Sequence, residues 1–118
     1  VQATALNRSE LRRYLRRVDD RWRLDAAFLG GAAVDDEHGA PSERERGAEY
    51  VAVLVSDAFD EVPWLERVYV AGSLWDGHEM GAPVDVHCYT QAEFARKSGS
   101  MPAVYDAVWQ GLDLLNEN

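Results

Sequence analysis

Apolar and polar positions along this chain follow several rhythms. Between residues 8 and 23, Leu11, Tyr14, Leu15, Val18 and Trp22 recur every three or four positions, which predicts an amphipathic helix. Asn7, with Glu10 three residues on, fits its N-terminal cap. Residues 25–29 make a short buried strand that runs into Gly30-Gly31, where two glycines permit a tight turn or close approach of a ligand to the backbone. Residues 49–55, read as EYVAVLV, are Glu49 followed by an unbroken apolar run with three β-branched residues and no polar alternation. That predicts a strand buried on both faces in the centre of a sheet.

Residues 32–47 shift to acids, Gly and Pro and read as a surface loop with one helical turn near Ser42–Arg46. After the central strand, DAFDEVP makes a turn that places Pro63 in a first helical turn with Asp60 or Glu61 near the cap. Leu65, Val68, Tyr69, Gly72 and Leu74 or Trp75 continue an apolar stripe at helical spacing. Gly72 costs that helix about 1 kcal/mol relative to Ala. In VDVHCYT the pattern alternates: Val84, Val86 and Cys88 point one way, Asp85, His87 and Tyr89 the other. A short helix over residues 91–97 and a final helix from about residue 102 to 115, marked by Val104, Val108, Leu112 and Leu115, complete the chain. The order α, β, loop, β, α, β, α, α predicts an α/β fold, a small mixed sheet with helices packed on it, in a single domain over residues 1–118.

Composition narrows the function classes. With 118 residues and 47% hydrophobic residues the chain is sized for one modest core. No apolar run reaches the roughly 18 residues a membrane span needs, and no signal peptide is visible. The net charge of −9 disfavours nucleic-acid backbones and anionic membranes as partners, because both reward clustered Lys and Arg. The single cysteine, Cys88, excludes an intrachain disulfide and suits a reducing cytoplasm.

Candidate chemistry is sparse. Arg12, Arg13, Arg16 and Arg17 lie mostly outside the first helix's stripe and read as a solvated face balanced by acids, with a partner or phosphate site as the competing reading. His38, His78 and His87 show no ligand spacing, although His87 shares a strand face with Asp85, which leaves a mixed histidine–carboxylate metal site open beside a plain hydrogen-bonded histidine. Cys88 falls on the apolar face as a core thiol, and Trp22, Trp64, Trp75 and Trp109 read as core or interface residues.

Two stretches, VLVSDAFDEVPWLERV and VDVHCYTQAEFARK, carry a resemblance. Over roughly residues 8–115 the chain resembles the minimal nucleotidyltransferases, which have the polymerase-beta-type nucleotidyltransferase fold. The resemblance implies a Gly-Ser turn for a triphosphate, an Asp-x-Asp pair for two divalent metals and a third Asp on the following strand; hard cations such as Mg²⁺ require such clustered oxygens. Mapped onto this chain, Gly30-Gly31 occupy the turn without its hydroxyl, Glu49 stands for the first Asp, Val51 for the second, and Asp85 matches the third. The loop that is basic in active relatives reads Asp35-Asp36-Glu37 here, which repels a triphosphate. A competing register, Gly72-Ser73 with Asp85-Val86-His87, is rejected because it orphans the strand at residues 49–55 and leaves no third strand after residue 89. Its Gly72 then reads as a small packing site within a helix.

The resemblance implies Glu49 and Asp85 as remnant metal and catalytic positions, Gly30 and Gly31 as the nucleotide-binding turn, and weak or absent binding of Mg²⁺ or Mn²⁺ with a nucleoside triphosphate. The leading expectation is a catalytically degenerate nucleotidyltransferase-fold protein that acts through protein binding, antitoxin-like or regulatory, with a small helical HEPN-type protein as partner. One alternative is an active, divergent enzyme, in which Asp35, Asp36 or His87 supplies the missing ligand for transfer of a nucleoside monophosphate to a protein hydroxyl or small molecule. Another is a structural module or homo-oligomer without nucleotide.

Overall fold

A computed structural model of the chain describes residues 7–31, 50–97 and 112–115. Helix α1 (Arg8–Arg21) leads into strand β1 (Ala26–Gly30). Strand β2 (Tyr50–Val55) is followed by a 3₁₀ turn (Asp57–Glu61), helix α2 (Trp64–Ser73) and the single-turn helix α3 (Gly77–Met80). Strand β3 (Val84–Tyr89), helix α4 (Gln91–Lys97) and the short strand β4 (Leu112–Asp113) complete the described elements. The four strands form one mixed sheet in the order β3-β2-β1-β4. β1 runs antiparallel to both β2 and β4, whereas β2 and β3 are parallel and joined by the crossover through α2 and α3. The expected α/β architecture is therefore present.

Burial follows from this order. β2 lies between two strands and all six of its residues are buried, as its unbroken apolar run requires. Ala52 and Leu54 face α1, where Tyr14, Val18, Trp22, Phe59, Ala71 and Met80 build the main core with Ala27, Leu29, Val86 and Cys88. Val51, Val53 and Val55 face the other way, onto Tyr89, Phe28 and Phe94 of α4. Asn7 caps α1 by accepting from the Glu10 amide. The Glu10 carboxylate does not complete a capping box; it is buried and held by Arg13 and Arg17, whose Nη2 lies 2.6 Å from it. Arg17 also donates to the Leu74 carbonyl, so part of the arginine face ties α1 to the end of α2.

Four expectations need correction. Asp60 and Glu61 belong to the 3₁₀ turn, whose cap is Ser56, and Pro63 itself is the N-cap of α2, without a side-chain bond. The expected stripe of α2 faces outward at Leu65 and Tyr69, which are 78% and 77% exposed, and meets the core only at its end, where Leu74 and Trp75 pack on it; the buried positions are Arg67 and Ala71. Gly72 is not a packing site, because a Cβ added there meets nothing within 4 Å. Leu112 and Leu115 do not continue a helix; residues 112–113 are strand, and Leu114 donates its amide to the Ala27 carbonyl. A strand thus exists after residue 89, against one reason for rejecting the Gly72-Ser73 register. It pairs with β1 rather than β3, however, and Gly72-Ser73 close a helix rather than follow a strand. Glu49, Asp35, Asp36, Glu37, His38, the turn at Ser42–Arg46, Val104, Val108 and Trp109 lie outside the described residues.

Candidate functional site

The register of the sheet brings three of the sequence-derived positions into one row. Gly30 is the partner of Val51 across β1 and β2, and Val51 is the partner of Asp85 across β2 and β3. Residues paired in register share a face, so this row lies on the side that carries Val53, His87 and Tyr89. Gly31 follows β1 with φ +99°, a backbone conformation that a side chain rarely tolerates, which explains a glycine at that position.

The donors in the row are few. Val51 is 8% exposed and supplies no oxygen. The Asp85 side chain is 49% exposed and lies 3.1 Å from His87 Nε2, which satisfies that imidazole edge. His87 in turn stacks against Tyr89, ring centroids 6.4 Å apart. Among the described residues no group of three or more His, Cys, Asp or Glu side chains is placed to hold a metal ion. Two-metal nucleotidyl transfer needs several carboxylate oxygens on adjacent strands, and a valine at the centre of the row does not meet that need. Asp85 with His87 offers one carboxylate and one imidazole, a donor set for at most a single, weakly held cation. Cys88, on the opposite face, is a buried thiol whose pKa burial pushes up to about 12, and it stays an inert core residue.

A second constellation sits at the carboxyl end of β3, where sequence reasoning had placed nothing. Thr90 caps α4 with a reciprocal capping box: its hydroxyl accepts from the Glu93 amide at 3.2 Å and the Glu93 carboxylate accepts from the Thr90 amide at 2.9 Å. The buried Arg67 reaches the same carboxylate at 2.7 Å and also donates to the Val62 and Cys88 carbonyls. Its guanidinium lies 5.9 Å from the ring centre of Trp64, which leans on Tyr89 with centroids 5.5 Å apart. The bond from Arg67, helped by the Thr90 amide, holds the Glu93 carboxyl below the usual glutamate range. Trp64, Tyr89, Glu93, Arg96 and Lys97 line an open cleft of about 510 Å³. The signal for the cap was present as Thr90-Gln91-Ala92-Glu93, a Thr-x-x-Glu spacing before a helix. Arg67 gave no signal, because a charged residue in an amphipathic helix reads as solvated.

No family model, curated protein or solved structure matches the chain. Among the described residues no helix is long and apolar enough to cross a membrane.

Proposed function

We propose that this chain is a nucleotidyltransferase-fold protein whose two-metal site has been emptied and which works by binding a protein partner, in an antitoxin-like or regulatory role. The supporting observation is the row Gly30–Val51–Asp85: three adjacent strands bring together the positions that the resemblance assigns to phosphate and metals, with a largely buried valine at the centre. A catalyst that relies on positioning and charge stabilisation loses most of its power when a metal ligand is replaced by an alkyl group. A binding role needs surface only, and survives that replacement. In this reading the compartment is a reducing cytoplasm and the partner is a small all-helical protein of the HEPN type.

The test is nucleotidyl transfer with labelled ATP and Mg²⁺ or Mn²⁺, with the candidate helical partner offered as acceptor, alongside calorimetric titration of the nucleotide. The expected result is no incorporation and no Mg-ATP binding at micromolar concentrations. Incorporation that disappears in Asp85→Asn or Glu49→Gln would establish an active enzyme and overturn the reading.

A further inference from the structure

We propose that the arginine face of α1 binds a phosphomonoester carried on a small hydroxyl-bearing molecule, such as a sugar or polyol phosphate. The site goes beyond the emptied nucleotide position and is separate from it. α1 packs on the sheet face that carries Ala52 and Leu54, whereas the Gly30–Val51–Asp85 row lies on the other. Charge is unevenly spread along the chain. Between Arg8 and Arg23 stand seven of its twelve basic residues and three of its twenty-one acids, a local balance of +4 on a chain whose remainder carries −13. A small anion is therefore drawn to α1 in preference to the rest of the chain.

Arg13, Arg16, Arg17 and Asp20 recur at i, i+3, i+4 and i+7 and line one open cleft of about 210 Å³. Two of the three guanidiniums are held in place from below. The buried Glu10 carboxylate accepts from Arg13 Nε at 2.9 Å and from Arg17 Nη2 at 2.6 Å, and the Leu74 carbonyl fixes Arg17 again. Those bonds leave both terminal nitrogens of Arg13 and Nη1 of Arg17 for a ligand, and Glu10 offsets only one of the two cations it orders. Donors ordered in advance lose little freedom on binding. Arg16 is exposed and has no hydrogen-bond or ion-pair partner among the described residues, so its whole fork is available. A carboxylate presents two oxygens, enough for one guanidinium fork. A phosphomonoester presents three around a tetrahedral centre and reaches all three side chains at once. Asp20 selects the rest of the ligand. It also lines the cleft without a partner among the described residues, where it opposes a polyanion and accepts from a hydroxyl placed beside the phosphate. A nucleic-acid strand offers two free oxygens per phosphate and carries its charge on past the patch, onto the acidic remainder of the chain.

The experiment is a nuclear magnetic resonance titration of the full chain at fixed ionic strength, reading the backbone amides of α1 and the hydrogen-bonded Nε–H groups of Arg13 and Arg17. The probes are glycerol phosphate, inorganic phosphate, acetate, adenosine monophosphate and a ten-nucleotide oligothymidylate. Glycerol phosphate is expected to saturate in the millimolar range, inorganic phosphate to bind about fivefold more weakly, and acetate not to saturate. The lining holds no aromatic side chain for a base, so adenosine monophosphate is expected to bind no more tightly than glycerol phosphate, which separates a polyol phosphate from a nucleotide. Arg16→Ala, at an exposed position without a partner among the described residues, is expected to cost about tenfold. Arg12→Ala, on the same helix but outside the lining, should cost less than about twofold. Asp20→Ala is expected to bring glycerol phosphate and inorganic phosphate to equal affinity; circular dichroism checks each variant's fold. Absence of saturation with glycerol phosphate, saturation with acetate, or equal losses in Arg16→Ala and Arg12→Ala overturns the proposal. So does a preference for glycerol phosphate that survives Asp20→Ala, or tighter binding of adenosine monophosphate or the oligothymidylate.

Discussion

At the amino end of the parallel pair, Val51 and Asp85 stand side by side, and the polar contact between side chains there is the exposed one between Asp85 and His87. At the carboxyl end of the same two strands, Ser56 donates to the Arg23 carbonyl at 2.6 Å, and Arg67 spans from Val62 to the Cys88 carbonyl and Glu93. Thr90 and Glu93 satisfy each other's amides. The difference is one of interdependence. Carboxyl-end groups are buried or half-buried and each relies on the next, so removing one strands its partners in a low-dielectric setting. On the face that carries the row, the amino end is instead apolar at Val51 and solvated at Asp85; its buried hydrogen bond lies on the opposite face, where the Tyr50 hydroxyl donates to the Met80 carbonyl. A working two-metal site would reverse this arrangement, because close-set carboxylates need either a cation or a network to offset their repulsion.

The sharpest way to break this comparison is Arg67→Ala. It leaves the Cys88 and Val62 carbonyls without their donor and Glu93 without its cation, and should cost about 3 kcal/mol in urea denaturation. Arg67→Lys should recover less than half of that, since an ammonium cannot span the three acceptors as the guanidinium fork does. A loss below about 1 kcal/mol would mean the carboxyl-end network is incidental.

Val51→Asp probes the other end and should cost about 2 kcal/mol at neutral pH, because it sets a second carboxylate beside Asp85 at a position with little access to water. Mn²⁺ should raise the melting temperature of this variant and leave that of the native chain unchanged; adding Gly31→Ser should then increase nucleotide affinity more than either change alone. A Mn²⁺ shift of equal size in the native chain would show that the row already holds a cation.

The acid limb of the stability profile gives a smaller effect. Glu10 is held below its ordinary range mainly by the hydrogen bond from Arg17, and Glu93 mainly by that from Arg67. Because both folded-state values are depressed, their stabilisation is complete above the ordinary glutamate value of 4.5 and is lost as pH falls through the folded values. Denaturation followed from pH 6 to pH 2 should show stability falling over that window, with a shallower fall in Glu10→Gln and in Glu93→Gln. An unchanged slope in both variants would remove these ion pairs from the account.

The smallest expected change is Asp85→Asn, within about 0.5 kcal/mol, as for an exposed side chain with one solvated neighbour. A larger loss would show that the amino end is a network after all.

Legibility in the sequence tracked how local the physics was. β2 was readable because six successive apolar residues, three of them β-branched, suit a central strand whichever elements surround it. α1 was readable from one unambiguous stripe and its Asn7 cap. The alternation along β3 put Asp85 and His87 on one face, and in the fold the Asp85 carboxylate lies 3.1 Å from His87 Nε2. The helix α2 was readable as a helix but not in its orientation. Two faces compete there, Leu65–Val68–Tyr69–Gly72 and Arg67–Ala71, and the more apolar one lost, because the Arg67 guanidinium finds its acceptors on β3 and α4, elements far away in sequence.

Residue types and their spacing determined by themselves that this chain builds strands with helices around them and that Cys88 belongs to a core; the reading of Gly30, Val51 and Asp85 as remnant nucleotide and metal positions came from the resemblance, not from spacing. The tertiary structure alone decided the burial of Arg67, the outward turn of Leu65 and Tyr69, and the pairing of Leu112–Asp113 with Phe28 and Leu29 as an edge strand. Each of those outcomes depends on hydrogen-bonding groups that the fold brings within reach. The free edge of β1 has amides and carbonyls to satisfy, and Leu114 meets one of them with its bond to Ala27 at 2.8 Å, across a separation that no local pattern encodes.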